Sequence, residues 1–229
     1  MRETLQIMTP EMKMADLLHQ NFELLFVISR LNISLGFGDK TVEQVCVENN
    51  LETQEFLTLV RLHLSPCLVE KRDLDLLSPK LIISYLKNSH DYFLKQRLPD
   101  IKKKLNEVLL HTDFYQLIIP FFEEYEKEVA EHMIYEDEVF FPYAMKLLSG
   151  KSVKKYTTAN YESRHDNIEE KMTDLLSLLI KYLPNISNAY LVSNLLLDLN
   201  LCHEDLKTHS FLEEEVLIPK IKKIEENEA

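Results

Sequence analysis

Glycine and tryptophan are scarce in this chain of 229 residues, which has three glycines and no tryptophan. Two of the glycines, Gly36 and Gly38, fall in one short stretch, so few residues elsewhere would interrupt a helix. The long segments between the breakers are rich in Leu, Ile, Lys and Glu, a composition typical of helical proteins. We therefore expect an all-α protein, and a hydrophobic content of 45% is ample for its core.

Cysteine and long apolar runs are also scarce. The three cysteines, Cys46, Cys67 and Cys202, are odd in number, widely spaced and without a CxxC pair. This pattern argues against a disulfide framework and is typical of a reducing compartment. No apolar stretch approaches the length of about 20 residues that a membrane helix needs, and the N-terminus lacks the apolar run of a signal peptide. We expect a soluble, cytoplasmic protein with no membrane partner.

Positive charge is in short supply. The chain has 26 Lys and Arg against 38 Asp and Glu, which gives a formal net charge of −12. Such a balance disfavours general affinity for nucleic acids or anionic membranes. We read the acidic excess as a solvated surface.

The most informative feature that is present is a motif that occurs twice. Two stretches, beginning at His132 and at His209, both read His-x-x-x-Glu-acidic-Glu-Val-x-x-Pro. Residues four apart lie above one another on a helix, so each stretch directs an imidazole and a carboxylate to the same point. Pro142 and Pro219, ten residues after each His, are expected to bend or end the helix.

A second repeat lies upstream of the first. A His-Asp pair stands roughly forty residues before each motif, and about twenty residues make a helix of 30 Å. The spacing suits two antiparallel helices joined as a hairpin. Two such hairpins form an antiparallel four-helix bundle with an internal two-fold axis. This arrangement predicts one core layer that holds six residues: His90, His132, Glu136, His165, His209 and Glu213.

The chemistry of these six residues favours a metal. Buried imidazoles and carboxylates must be paired or bound, and four imidazoles with two carboxylates and no thiolate suit iron or manganese. A single His-x-x-x-Glu is more often an ordinary helix pair, but its repetition reverses that preference. We expect two ions, with Glu136 and Glu213 placed to bridge and with His90 and His165 completing the two ligand sets. The role of Asp91 and Asp166 stays open between support of the site and exposed helix carboxylates.

Sequence breaks divide the chain. Residues 1–75 are predicted to form a small helical N-terminal domain and residues 78–226 the metal-binding bundle. Ser78-Pro79 is a strong helix start, with Ser as the N-cap and Pro in the first turn. The expected bundle helices are approximately 79–112, 113–148, 156–182 and 187–223.

From about residue 80 to 223 the chain resembles the hemerythrin-like, HHE cation-binding domains, on the His132/Glu136 and His209/Glu213 motifs. Within that group, the set of four His and two Glu resembles the di-iron proteins linked to repair of iron–sulfur clusters after nitrosative and oxidative stress. The resemblance implies two non-haem iron ions, with manganese as the alternative metal. It also implies O2, NO or H2O2 as a ligand and damaged iron–sulfur proteins as partners. Oxygen-carrying hemerythrins use an additional His, for which this chain offers no clear position.

The N-terminal domain carries a weaker resemblance. Repair-type proteins hold adjacent cysteines in an Ile-Asp-x-Cys-Cys-Gly-Gly loop, whereas this chain has Ile33-Ser-Leu-Gly-Phe-Gly-Asp-Lys and then Cys46. The adjacent cysteines are missing, which puts any thiol chemistry of this loop in question. We read Cys46 as a small buried residue.

Three functions remain open from the sequence. The first is cluster repair or a response to nitric oxide, oxygen or peroxide, through redox chemistry or iron delivery. The second is a di-iron sensor that regulates transcription, because residues 41–63 have the pattern of a short helix, a turn and a second helix, as in a helix-turn-helix. Residues 1–75, however, hold seven basic against twelve acidic side chains, which disfavours DNA as a partner. The third is a metal store, disfavoured because no cage is evident. The sequence leaves open a homodimer and the question of whether the protein is an enzyme.

Overall fold

A computed structural model describes residues 8–64, 69–150, 157–162, 168–186 and 188–228. The described residues are helical and contain no β-strand, although Lys13 and Thr41 form an isolated antiparallel bridge. The all-α prediction is therefore confirmed. The chain divides into two compact units, residues 1–86 and residues 87–229. The domain limits 1–75 and 78–226 stay a prediction from the sequence.

The first unit contains short helices. They are α1 (Met14–Gln20), α2 (Leu24–Arg30), α3 (Val42–Glu48), α4 (Thr53–Leu64) and α5 (Lys71–Leu74). Thr41 caps α3 in a capping box with Gln44, as a Thr before a short helix predicts. Asn50, in the turn before α4, has a φ of 55°, the left-handed conformation that Asn tolerates.

Helix α4 is the most deeply buried helix of this unit. Its side chains from Phe56 to Val60, together with Leu62, are all buried. A helix that reads DNA must present an exposed face to the major groove. The burial of α4 therefore removes most of the surface that a recognition helix would need.

The second unit is an antiparallel helical bundle of the kind predicted. Each of its four long helical segments is called a rod here, and π-helical segments are labelled π1 to π3. The first rod consists of α6 (Pro79–Tyr92), π1 (Phe93–Arg97) and α7 (Leu98–Leu109). The second rod consists of α8 (Tyr115–Tyr135), π2 (Glu136–Phe140) and α9 (Phe141–Leu148). The third and fourth rods are α10 (Thr158–Glu162) and α11 (Ile168–Tyr182), then α12 (Ala189–Phe211), π3 (Leu212–Leu217) and α13 (Ile218–Glu228). Helix α6 begins in the first unit and contributes its last turn to the second.

The prolines near the motifs do not end their helices, in contrast to the simplest expectation. Each of Pro99, Pro142 and Pro219 follows a π segment by two residues, and the helix continues beyond it. Proline lacks an N–H, and its ring collides with the carbonyl four residues back. The residue before each proline instead donates its N–H five residues back, to the carbonyls of Phe93, Glu136 and Glu213 respectively. The wider π turn therefore accommodates the proline within a continuous rod.

The bundle buries an apolar core beside the motif residues. Phe122, Val129, Leu175 and Leu199, from three of the rods, are all buried in it. A paired Arg97 and Asp198, with 3.0 Å between Nη1 and Oδ1, ties the first rod to the fourth. Over the described part of the chain, no helix is both long and apolar enough to cross a membrane.

Candidate metal centre

Five of the six predicted ligands converge inside the bundle. His90 comes from α6, His132 from α8 and His209 from α12. Glu136 is the first residue of π2 and Glu213 the second residue of π3. Both carboxylates are completely enclosed, with side-chain exposures of 0% and 1%. Burying two carboxylic acids costs folding free energy unless they are paired or bind a cation. Both acids also lie in π segments, which are frequent at functional sites.

His90, Glu136 and His209 form the first group of potential ligands. The His90 Nε2 lies 3.0 Å from Oε2 of Glu136 and 3.3 Å from Nε2 of His209. One ligand atom from each residue lies within 4.8 Å of the others. Two imidazoles and a carboxylate, each from a different rod, thus face one point.

His132, Glu136 and Glu213 form the second group. The His132 Nε2 lies 2.9 Å from Oε1 of Glu136, and the three ligand atoms again lie within 4.8 Å of one another. Glu136 belongs to both groups, with Oε2 facing the first and Oε1 the second. Glu213 belongs to the second group alone.

The remaining predicted ligand, His165, lies outside the described residues, as do its neighbour Asp166 and Cys67. The second group has one imidazole where the first has two. His165 therefore remains our predicted fourth histidine.

The residues present fit a cation. The Oε2 atom of Glu136 is buried and has no hydrogen-bond partner among the described residues, although it lies 3.0 Å from His90 Nε2. An unbonded buried carboxylate oxygen is costly unless a positive charge faces it. Imidazole and carboxylate donors are the ligands of iron and manganese, so this donor set is suited to a first-row transition metal.

The surroundings shift the pKa values of the two carboxylates in opposite directions. Burial and then the charge of Glu136 hold the pKa of Glu213 well above its ordinary value. Burial also acts to raise the pKa of Glu136, but close polar contacts with His132 and His90 outweigh it and hold that pKa well below the ordinary value. Without metal, Glu136 is therefore the charged member of the pair, and a bound cation would displace the proton of Glu213.

Asp137 supports His90. Its Oδ1 lies 3.1 Å from the His90 Nδ1, on the side of the ring away from the ligand group. A carboxylate in this position orients a metal-binding imidazole. The adjacent Asp91 instead pairs with Lys95 at the surface, with 2.6 Å between Oδ1 and Nζ. The supporting carboxylate is thus Asp137 and not Asp91.

Tyr161 connects the two carboxylates. Its phenol donates to Oε1 of Glu136 at 2.5 Å and is hydrogen-bonded to Glu213 as well. A phenol has one proton, so the Tyr161 hydroxyl donates to one of the two carboxylates at a time.

Other histidines lie apart from both ligand groups in the described structure. His203, the weakest exclusion on sequence grounds, contacts Thr173 at 3.2 Å between Nε2 and Oγ1. His63, in the first unit, contacts the hydroxyl of Tyr85 at 3.0 Å. Both side chains therefore have local polar partners that do not involve the ligand groups.

The comparison with protein families agrees with this site. No curated protein sequence matches the chain significantly. Residues 81–221, well over half of the chain, match the family of the hemerythrin HHE cation binding domain. The chain therefore belongs to the hemerythrin HHE cation-binding family.

Proposed function

We propose that this chain is a non-haem di-iron protein. His90, His209 and Glu136 would hold one ion, and His132, Glu136, Glu213 and His165 the other. The observation that carries this proposal is the position of Glu136, whose two oxygens face two separate ligand groups. A carboxylate so placed is suited to bridge two ions.

The protein's own residues define the reactivity of such a centre. The imidazoles would supply nitrogen ligands, and Asp137 contacts the ring of His90 at Nδ1. Phe141 stacks on His90 with 5.5 Å between ring centroids, and Phe93 meets His209 edge-on, so apolar rings exclude water from this side. A non-haem iron pair supplies electron transfer and open coordination positions for O2, NO or peroxide.

We further propose that the protein acts in repair of iron–sulfur clusters or in the response to nitric oxide, oxygen or peroxide. It would do so by redox chemistry at the centre or by delivering iron. Membership of the cation-binding family and the His/carboxylate donor set support this role.

The first test is the metal content of chain purified without added metal, measured by elemental analysis. We expect about two irons per chain and a sharp fall in a His209→Ala/Glu213→Ala variant. The matched control is Glu214→Ala/Glu215→Ala, which removes exposed carboxylates of the same segment. A wild-type chain without metal, or a variant that retains it, would refute the di-iron proposal.

A second experiment separates the two modes of action. The reduced, iron-loaded protein is mixed either with nitric oxide or with an iron-free iron–sulfur protein and a thiol reductant. New optical absorption with the former supports ligand chemistry. Cluster formation in the latter supports delivery. If neither response is observed, the repair and stress roles are refuted, while the proposal of a metal centre still stands.

The regulator alternative has less support. The α3–turn–α4 pair has the expected lengths, but the burial of α4 leaves little surface for a DNA groove. We therefore do not propose DNA as a partner.

A further inference from the structure

The short helix α10 brings Tyr161 to the metal centre. The ring of Tyr161 stacks on Phe140, with 4.4 Å between centroids, and its hydroxyl links Glu136 to Glu213. The side chain is 2% exposed. A helix of five residues is too short to be stable by itself, so contacts with neighbouring rods must fix its position.

One of these contacts is made by Glu225 of α13. Its Oε1 accepts the backbone N–H of Thr158 at 2.9 Å, and its Oε2 accepts the Thr158 hydroxyl at 2.8 Å. The hydroxyl of Tyr143 also donates to Oε1. Thr158 is the first residue of α10 and is buried, so Glu225 satisfies a backbone donor that the helix itself cannot. Hydrogen bonds to a charged carboxylate are stronger than neutral ones.

Glu225 and Tyr161 therefore hold opposite ends of the same helix. Glu225 lies twelve residues beyond Glu213 on the fourth rod, roughly 18 Å along its axis. It also lies beyond residues 81–221, so the family match does not account for it. A change at Glu225 can reach the centre through α10 without touching a ligand.

We propose that Glu225 is a positioning residue, which fixes α10 so that the Tyr161 hydroxyl stays hydrogen-bonded to a carboxylate of the centre and metal leaves the centre slowly. The proposal rests on the metal centre proposed above. Without the hydrogen bond to Glu225, the buried backbone N–H of Thr158 would lose its acceptor. Helix α10 would then shift so that water could hydrate this N–H. Tyr161 would then leave the carboxylates, which could turn away from a bound ion.

The test measures the rate at which the iron-loaded, full-length chain loses iron to excess chelator. Glu225→Ala and Tyr161→Phe should each raise this rate about tenfold, the size expected for one lost hydrogen bond to a charged group. The double variant should be no faster than Tyr161→Phe, because both changes act through one contact. Glu226→Ala, which removes the next and exposed carboxylate, is the matched control and should leave the rate unchanged.

A conservative variant guards against a general loss of folding. Glu225→Gln keeps an acceptor for the Thr158 N–H and should give a rate between those of wild type and Glu225→Ala. A wild-type rate in Glu225→Ala, or effects that multiply in the double variant, would overturn the positioning role. A wild-type chain that holds no metal would instead refute the proposed function.

The metal-free chain offers an independent readout. Tyrosine dominates the near-ultraviolet circular dichroism because the chain has no tryptophan. In a Tyr143→Phe background, which removes the other tyrosine that bonds Glu225, Glu225→Ala should remove the part of this signal that Tyr161→Phe removes, and the combined variant should match Tyr161→Phe. An unchanged tyrosine signal in Glu225→Ala would contradict the proposed link.

Discussion

At the scale of single residues, Asp137 and Asp91 form a matched pair of carboxylates around His90. Asp137 contacts the His90 Nδ1, whereas Asp91 pairs with Lys95 at the surface. Loss of a carboxylate that orients a ligand imidazole typically weakens metal binding 10–100-fold, so we expect about this loss in Asp137→Asn. Asp91→Asn should bind as wild type does. Competition with a chelator of known affinity measures both, and equal affinities would rule out the supporting role of Asp137.

A second prediction at this scale concerns Cys46. Burial raises the pKa of its thiol to about 11, although a hydrogen bond with Thr53 acts in the opposite direction. The thiolate is the reactive form, so a buried thiol with a raised pKa is inert near neutral pH.

The test uses a Cys67→Ser background, which leaves Cys46 and Cys202, both buried. The folded chain should not react with Ellman's reagent at pH 8, and two thiols should react after unfolding in guanidinium chloride. Rapid reaction of a thiol in the folded chain, lost in a further Cys46→Ser change, would restore thiol chemistry to this unit.

Residue spacing predicted much of the site but not its supporting contacts. The i, i+4 repeat was sufficient to select His132, Glu136, His209 and Glu213, because that spacing holds through one helical turn. Asp137 was missed because an α-helix directs adjacent side chains about 100° apart, whereas the π turn after Glu136 rotates less per residue. The same change explains why Val139, assigned to the core stripe, is half-buried while Phe140 is buried.

At the scale of elements, π2 and its proline act together. Phe141 donates to the carbonyl of Glu136, five residues back, and Pro142 follows with no N–H to give. Replacing Pro142 with Ala restores a donor and removes the ring, which favours a regular α-helix. We expect Pro142→Ala to stabilise the metal-free chain by about 1–3 kcal/mol and to weaken metal binding, because Asp137 and Glu136 would rotate.

The control for this prediction is Pro120→Ala. Pro120 lies inside α8, and no π segment precedes it within that helix. Its replacement should also stabilise the chain, without a change in metal affinity. Thermal unfolding measures the stability of the two variants, and chelator competition measures their metal affinity. An unchanged metal affinity in Pro142→Ala would mean that π2 forms independently of its proline.

The helices themselves were largely predictable, and the π segments were not. Scarce glycine, the Ser78-Pro79 start and the repeated motif suffice for the rods. A π turn adds one residue within a rod without a change in composition, so periodicity alone cannot place it. The prolines gave one signal for the π segments, because Phe93, Glu136 and Glu213 each precede a proline by six residues.

At the scale of the whole molecule, the chain divides into two compact units, and both ligand groups lie within residues 87–229. A ligand that binds the folded state alone stabilises the unit that holds it, by about 2.7 kcal/mol when its free concentration is one hundred times Kd. The ions would also join rods that are far apart in sequence, so metal should resist their separation.

Calorimetry of the metal-free chain should therefore show two unfolding transitions, since each unit has its own core. Added ferrous iron, under anaerobic conditions, should raise the midpoint of one transition and leave the other in place. The His209→Ala/Glu213→Ala variant should show no shift in either, because it lacks one ligand from each group. A single transition that iron shifts as a whole would show that the units unfold together, and metal binding would then stabilise the N-terminal unit as well as the bundle.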